Sequence, residues 1–294
     1  MNTLDVVVVS YNSRRCLRRC VEPLSALEGV NVFVVDNASA DGSLDTVAGL
    51  PVETLALSRN GGFAHGCNVG WRAGRAPFVL FLNPDAEIDA TSLRTLTSAL
   101  ATDDEAGAIA PTIVTRDGTL DFSQRRFPRL RSTYAQALYL HRLFPRRAWT
   151  DELVRDPGAY EVPGSPEWVS GACILVKRAA LERIDGWDEG FFHYCEDIDL
   201  CRRLWDGGYA VRYEPRAIAV HEGGASAPRP TLLPVLAASR ARYARKHRSR
   251  PVALLERIGI ALGALTHLVA ARGGVPTRIG HARSLYRAVR PARA

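Results

Sequence analysis

Val6-Val7-Val8-Val9-Ser10-Tyr11-Asn12 joins four consecutive β-branched residues to three polar ones. An unbroken apolar run bounded by turn residues is the pattern of a strand covered on both faces. The phrase recurs downstream. The run 30–35 ends in Asp36-Asn37-Ala38-Ser39, 52–57 ends in Ser58-Arg59-Asn60-Gly61-Gly62, and 78–82 ends in Asn83-Pro84-Asp85. Amphipathic or turn-rich stretches lie between them, so the first third of the chain reads as βα units around a mainly parallel sheet. Ligands of open α/β sheets bind beyond the carboxyl ends of the strands, and the polar clusters are therefore expected to converge on one pocket.

Composition agrees with a folded α/β protein. With 47% hydrophobic and 23% charged residues over 294 positions, the chain can bury a substantial core and matches neither a disordered nor a collagen-like sequence. Asp5 beside the valine run, and polar residues from Ser10 onward, do not form a signal-peptide pattern, so a cytosolic location is expected. The six cysteines (Cys16, Cys20, Cys67, Cys173, Cys195 and Cys201) show no CxxC spacing; buried thiols are expected rather than a zinc site or disulfides. The net charge of +7 is unevenly placed: residues 239–294 hold 13 Lys and Arg against a single acid, Glu256, whereas the first 238 carry 25 basic and 30 acidic side chains. This is a mildly acidic body with a basic anchor.

Between 120 and 166 the pattern weakens around Arg125, Arg126, Phe127, Tyr134, Tyr139 and Trp149. That stretch reads as an insertion with short helices that could act as a lid. A strand is predicted over 167–177, a helix through Ile184, the loop Asp185-Gly186-Trp187-Asp188-Glu189, a helix over 196–205 and a strand over 209–214. In the tail, 252–271 is largely apolar but contains Glu256-Arg257, and its clean portion of 14 residues is short of the ~20 a spanning helix needs. Leu254, Ile258, Ala261, Leu265 and Leu268 repeat at helical spacing. Such a helix lies in the lipid headgroup plane or packs on the body, and periodicity is the same for both. The expected division is a globular domain over 1–232, in halves that meet at about 115, and a basic amphipathic helical tail over 233–294.

The ordered series Val8-Val9-Ser10-Tyr11-Asn12, then Val35-Asp36-Asn37-Ala38-Ser39 with Asp41-Gly42-Ser43, then Asn60-Gly61-Gly62-Phe63-Ala64 with Asn68 and Gly70, then Leu82-Asn83-Pro84-Asp85, closely resembles the family 2 glycosyltransferases, in particular rhamnosyltransferase-like members. The resemblance runs from about residue 4 to about 226, and it implies that 1–232 is a catalytic domain with a nucleotide-sugar half to about 115 and an acceptor half over 116–232. It implies the GT-A fold, a Rossmann-like, mixed and mainly parallel sheet flanked by helices, here with a C-terminal basic helical extension. It also implies inverting transfer of a sugar, rhamnose foremost, from a dTDP- or UDP-sugar to a glycan or polyprenyl-linked acceptor, with one divalent metal. An inactive GT-A-like module that binds a glycan or nucleotide is the alternative, and the presence together of Asp85, Glu196, Asp197 and His221 argues for activity. A nucleotidyltransferase would be expected to carry a Gly-rich phosphate loop where Ser10-Tyr11-Asn12-Ser13-Arg14-Arg15 has no glycine. Only Tyr243 and Tyr286 interleave with the tail arginines, which is poor support for nucleic acid. An anionic membrane fits better, placing the protein at the inner face of the cell membrane.

Each segment has a chemical role in that reading. Tyr11 can stack on a base and Asp36 can accept a pyrimidine N–H; alternatively Asp36 caps the next helix and Tyr11 fills space. Asn60-Gly61-Gly62 lets backbone amides approach phosphate or ribose, with Arg59 beside them. Donor contacts are thus expected from Ser10, Tyr11, Asn12, Asp36, Asn37, Arg59, Asn60, Gly61, Gly62, Asn83 and Asp85. The family places Asp-x-Asp where this chain has Asn83-Pro84-Asp85, so one acid is an amide. Asp85 remains a ligand for Mn2+ or Mg2+, and His221, which resembles a late metal-binding histidine of some relatives, would favour Mn2+. Phe191-Phe192-His193-Tyr194-Cys195-Glu196-Asp197-Ile198-Asp199 looks like the family's catalytic segment, with Asp197 as base and Glu196 beside it, and repulsion among the acids raising a pKa. Acids complementing a helix dipole would look the same. Trp187, Asp188 and Glu189 match the acceptor-side loop, where Trp187 either stacks on a sugar or sits in the core.

Overall fold

The computed structural model describes residues 3–145, 147–223, 229–270 and 274–289. In chain order the elements are β1 (Leu4–Ser10), α1 (Leu17–Ser25), β2 (Val30–Asp36), β3 (Glu53–Ala56), α2 (Phe63–Ala73), β4 (Phe78–Leu82), β5 (Ala86–Ile88), α3 (Ala90–Thr102), β6 (Ala106–Val114), β7 (Leu120–Asp121) and β8 (Gln124–Arg125). There follow α4 (Leu130–Ala137), α5 (Leu140–Leu143), β9 (Trp168–Val169), β10 (Cys173–Lys177), α6 (Arg178–Arg183), α7 (Glu196–Asp206), β11 (Ala210–His221), α8 (Arg229–His247), α9 (Arg250–Ala270) and α10 (Gly274–Val289). Two compact units emerge: residues 1–125, 156–190 and 196–226 form the first, and 126–155, 191–195 and 227–294 the second.

The first unit is built on a sheet in the order β3-β2-β1-β4-β10-β6-β11-β5, with β7 on β6. From β3 to β4 all pairings are parallel; β10 runs antiparallel to β4 and β6, and β11 is parallel to β6. The valine run is continuous because both faces of β1 are covered. Val6 and Val8 join Leu17, Val21 and Leu24 of α1 and Leu93 and Leu96 of α3 in one core. On the other face α2 lies so close that a Cβ on Gly66 or Gly70 would come within 2.6 and 2.3 Å of Val9 and Val7. Burying each such valine or leucine stabilises by about 1.5–3 kcal/mol. Asp5 interrupts the apolar pattern without penalty: fully buried, it pairs with Arg178 at 2.7 Å and accepts hydrogen bonds from Ala76 N and Asn31 Nδ2.

Three strands differ from the sequence expectation. The run 52–57, expected to be covered on both faces, gives β3, the edge of the sheet, whose residues are largely exposed. The stretch 167–177 is two strands, β9 and β10, because Ser170-Gly171-Ala172 turns between them. The strand expected over 209–214 continues through Pro215 to His221 as β11, with a register shift between Glu214 and Ile218 that absorbs the missing proline N–H. All six cysteines are buried free thiols.

The second unit joins the insertion helices α4 and α5 to α8, α9 and α10. Helix α9 buries Ala253, Glu256, Gly259 and Ala264, and packs against α4, α8 and α10. Thr133 Oγ1 donates to buried Glu256, and Tyr134 Oη donates to Leu255 O at 2.8 Å. At 21 residues α9 is longer than the clean stretch read from sequence, and by length and composition alone it could cross a membrane. Leu254, Ile258 and Leu265 of the predicted stripe lie exposed opposite its packed face. The segment Phe191–Cys195 also belongs here. Tyr194 and Cys195 both hold left-handed backbone, φ 67° and 66°, at a cost of about 1–3 kcal/mol each.

Candidate active site

The strand ends of the first unit meet through side-chain hydrogen bonds. Ser10 O accepts from Asn37 N, and Asn37 in turn clamps the glycine loop, donating from Nδ2 to Gly62 O at 3.0 Å and accepting from Gly61 N at 2.9 Å. Asn60 Oδ1 accepts from Gly62 N, and Gly62, at φ 92°, forms the N-cap of α2 in a backbone region that glycine adopts without strain. Asn12, at φ 53°, exchanges hydrogen bonds with the Ser39 and Ala40 segment. Asp36 is buried with both oxygens engaged by Ser39, through its N–H at 2.9 Å and its hydroxyl at 2.6 Å, so it closes its own turn rather than capping a helix. Tyr11 is 40% exposed and Arg59 is exposed. Ser10 is wholly buried and its hydroxyl has no partner.

Asp85 and His221 come together through sheet register. The antiparallel pairing of β11 with β5 sets His221 opposite Ala86, next to Asp85. His221 Nε2 lies 3.2 Å from Asp85 Oδ1 and 3.3 Å from Asn83 Nδ2. Burial pushes the Asp85 carboxyl up, but the His221 hydrogen bond and charge and the backbone N–H groups of Asp85 and Gly223 outweigh it, holding it below the usual carboxylate range. Residues 224–226 of the predicted motif lie outside the described residues. One carboxylate and one imidazole are a donor pair that suits Mn2+ or Mg2+ if substrate oxygens and water complete the shell. No group of three or more His, Cys, Asp or Glu side chains is placed to hold a metal ion among the described residues.

The carboxylates of α7 have separate fates. Asp199 is fully buried and pairs with Arg203 at 2.7 Å, whose guanidinium also holds Ile184 O and Gly186 O. Glu196 is buried. Asp197 is partly accessible, accepting from Ile198 N at 2.9 Å and Gly171 N at 3.2 Å. Gly171 suits that approach, since a Cβ there would stand 3.2 Å from the Asp197 Cβ. The Asp197 pKa is raised. Burial is the main cause, opposed by the Gly171 N–H and the positive charge of Arg125; repulsion among neighbouring acids, the expected cause, is not what drives it. The β9–β10 turn carries the connection onward: Ala172 O accepts from Asn83 N at 2.9 Å.

Asn68 organises the 185–189 loop. Its Nδ2 donates to Trp187 O and Glu189 Oε1, both at 2.8 Å, while its Oδ1 accepts from Trp187 N and Trp71 Nε1, both at 2.9 Å. His65 and Arg72 add contacts to Glu189, and Asp188 accepts from Gly190 N. Trp187 is 2% exposed, edge-on to Phe63 at 5.6 Å and Phe81 at 5.0 Å. It is a core residue, and no ring face is left open for a sugar.

The family model described as glycosyl transferase family 2 matches residues 5–158, more than half of the chain. The chain belongs to this family. This glycosyltransferase, of the inverting type, is similar to the N-acetylglucosaminyl-diphospho-decaprenol L-rhamnosyltransferase of Mycobacterium tuberculosis, 33% identical over 236 residues that cover 75% of the chain and 76% of the relative. It is 26% identical to the rhamnosyltransferase WbbL of Escherichia coli, over 74% of the chain and 82% of the relative. A Pyrobaculum calidifontis mannosyltransferase, solved in complex with GDP-Man and Mn2+, superposes with a TM-score of 0.60 at 17% identity, covering 98% of the glycosyltransferase chain and 87% of its own. That likeness supports the GT-A-like fold: a mixed sheet flanked by helices, with further helices at the C-terminus.

Proposed function

We propose that the chain is a rhamnosyltransferase that moves L-rhamnose from a dTDP- or UDP-linked donor to a glycan carried on a polyprenyl diphosphate, with Asp197 as base. The observation carrying this reading is the hydrogen-bonded path from Asp197 through Gly171 and Ala172 to Asn83, and from Asn83 to His221 and Asp85. It ties a proton acceptor and a cation-binding pair to a single turn. The similarity to two rhamnosyltransferases, one named for a decaprenyl diphosphate substrate, favours the sugar and the acceptor class.

Asp85 and His221 would hold a divalent cation, which would neutralise charge on the departing diphosphate. Tyr11 and the Asn60-Gly61-Gly62 loop, which Asn37 clamps, receive the nucleotide, with Arg59 near its phosphates. Asp197 takes the proton of the acceptor hydroxyl as that oxygen attacks the anomeric carbon opposite the leaving group, so the anomeric configuration inverts. Its raised pKa strengthens it as a base near neutral pH.

The second unit supports a membrane-held acceptor. Leu254, Leu255, Ile258, Leu265 and Val269 form one exposed uncharged stripe on α9, and Val275, Ile279 and Tyr286 form another on α10, flanked by exposed Arg278, Arg283 and Arg287. Apolar stripes edged by arginine fit the headgroup region of an anionic bilayer, which supports a location at its cytoplasmic face. The test is transfer from dTDP-rhamnose, UDP-rhamnose and GDP-mannose to a polyprenyl-diphosphate N-acetylglucosamine acceptor. Transfer from a rhamnose donor alone supports the reading, and a preference for GDP-mannose overturns it.

A further inference from the structure

The pairing that brings His221 to Asp85 is short. Strand β5 lies at the end of the sheet order and meets β11 only through Ala219, Val220 and His221. Three residues is at the short end of strand lengths, and an edge pairing of that size opens readily. Past it, Glu222 N donates to Asp85 O at 3.3 Å. Four charged side chains of the first unit close around this pairing. Glu87 stands two residues after Asp85, and Glu222 directly follows His221. Arg19 of α1 reaches both glutamates, with Nε 2.6 Å from Glu87 Oε1 and Nη2 3.1 Å from Glu222 Oε1. Arg116, in the turn between β6 and β7, does the same, with Nη2 2.5 Å from Glu87 Oε1 and Nε 2.5 Å from Glu222 Oε1. Each guanidinium thus bridges the two glutamates, one on each strand side of the pairing, and the ring closes. A single ion pair this exposed would fix little, but a forked donor shared between two carboxylates restrains the distance between them.

We propose that Arg19 and Arg116 are positioning residues for the cation pair: by bridging Glu87 and Glu222 they pin the end of β11 to β5 and keep His221 against Asp85. The ring balances its own charge, so it braces the pair without adding net charge beside a diphosphate. This rests on Asp85 and His221 binding the cation, and the experiment separates the two claims.

The full-length protein carrying Arg19→Gln with Arg116→Gln is compared with wild type, Asp85→Ala, and Arg19→Lys with Arg116→Lys. Mn2+ is titrated calorimetrically in the presence of dTDP and again of UDP, and exchange of the Glu222 amide is followed in parallel. Two effects pull in opposite directions. Removing two positive charges near a cation favours its binding by Coulomb's law, whereas loosening the strand pairing disfavours it. The ring variant is expected to bind Mn2+ more weakly by roughly 10- to 100-fold, the scale of losing residues that orient metal ligands. Its Glu222 amide should exchange faster, and the lysine variant, which keeps the charge and much of the reach, should recover most of the affinity. Unchanged or tighter Mn2+ binding in the ring variant, with binding lost in Asp85→Ala, overturns the inference alone. An Asp85→Ala protein that binds Mn2+ like wild type removes the cation pair, and the inference falls with it. Should the double variant fail to fold, Arg116→Gln alone, in an exposed turn, gives the same readouts.

Discussion

His221 Nε2 and Asp85 Oδ1 stand 3.2 Å apart although 136 positions separate them in the chain, and the link is β11 lying antiparallel on β5. If this pair binds the cation, Asp85→Ala should weaken Mn2+-dependent binding of UDP or dTDP by at least about tenfold, ~1.4 kcal/mol. His221→Asp should shift the preferred ion from Mn2+ toward Mg2+, because a harder oxygen replaces the imidazole. Calorimetric titration with each metal and with chelator checks both.

Asp197 gives opposite effects on stability and activity. Its folded-state pKa lies above the ordinary aspartate value, so the stability it contributes is fully present below that ordinary value and is lost as pH rises through the raised one. Asp197→Asn should therefore raise Tm at neutral pH and above, with a smaller difference in acid. The acidic limb of wild-type kcat/KM should follow the raised pKa. Thermal melts and rate profiles across pH measure the two.

Asn68 is a structural hinge pin for the 185–189 loop. Replacing this buried side chain with alanine removes four hydrogen bonds and strands the N–H groups of Trp187 and the Trp71 indole, at an expected cost of about 3 kcal/mol. Urea denaturation gives the loss, and faster exchange of the Trp187 amide locates it.

The exposed stripes of the second unit should govern sedimentation with vesicles. Ile258→Ser with Leu265→Ser should reduce binding without unfolding the protein, since both side chains already face solvent. Arg278→Gln, Arg283→Gln and Arg287→Gln together should remove the preference for anionic over zwitterionic lipid, at about 1 kcal/mol per arginine. Equal binding of wild type to both lipids would contradict the charged contribution.

Strands covered on both faces were legible as unbroken apolar runs, which is why β1, β2 and β4 fall where the pattern places them. The turn at Gly171 and the extension of β11 past Pro215 were hidden, because the first lies inside an apolar run and the second behind a residue that ordinarily ends a strand. Pairings such as Asn68 with Trp187, 119 positions away, leave no local periodicity to read. The tail stripe of Leu254, Ile258 and Leu265 was visible as a period, but its exposed direction required the packing of Ala253, Glu256, Gly259 and Ala264 on the opposite face. Trp187 shows the limit of residue type: a tryptophan in an acceptor-like loop is here a core side chain.

The most direct measurement is transfer from dTDP-rhamnose to a polyprenyl-diphosphate acceptor by wild type and Asp197→Asn, with the anomeric configuration of the product read by NMR and donor binding measured in parallel. The expected result is an inverted product from wild type and a loss of roughly 10²- to 10⁴-fold in kcat for Asp197→Asn with donor affinity intact. A retained configuration, or an Asp197→Asn variant that turns over like wild type, would contradict it.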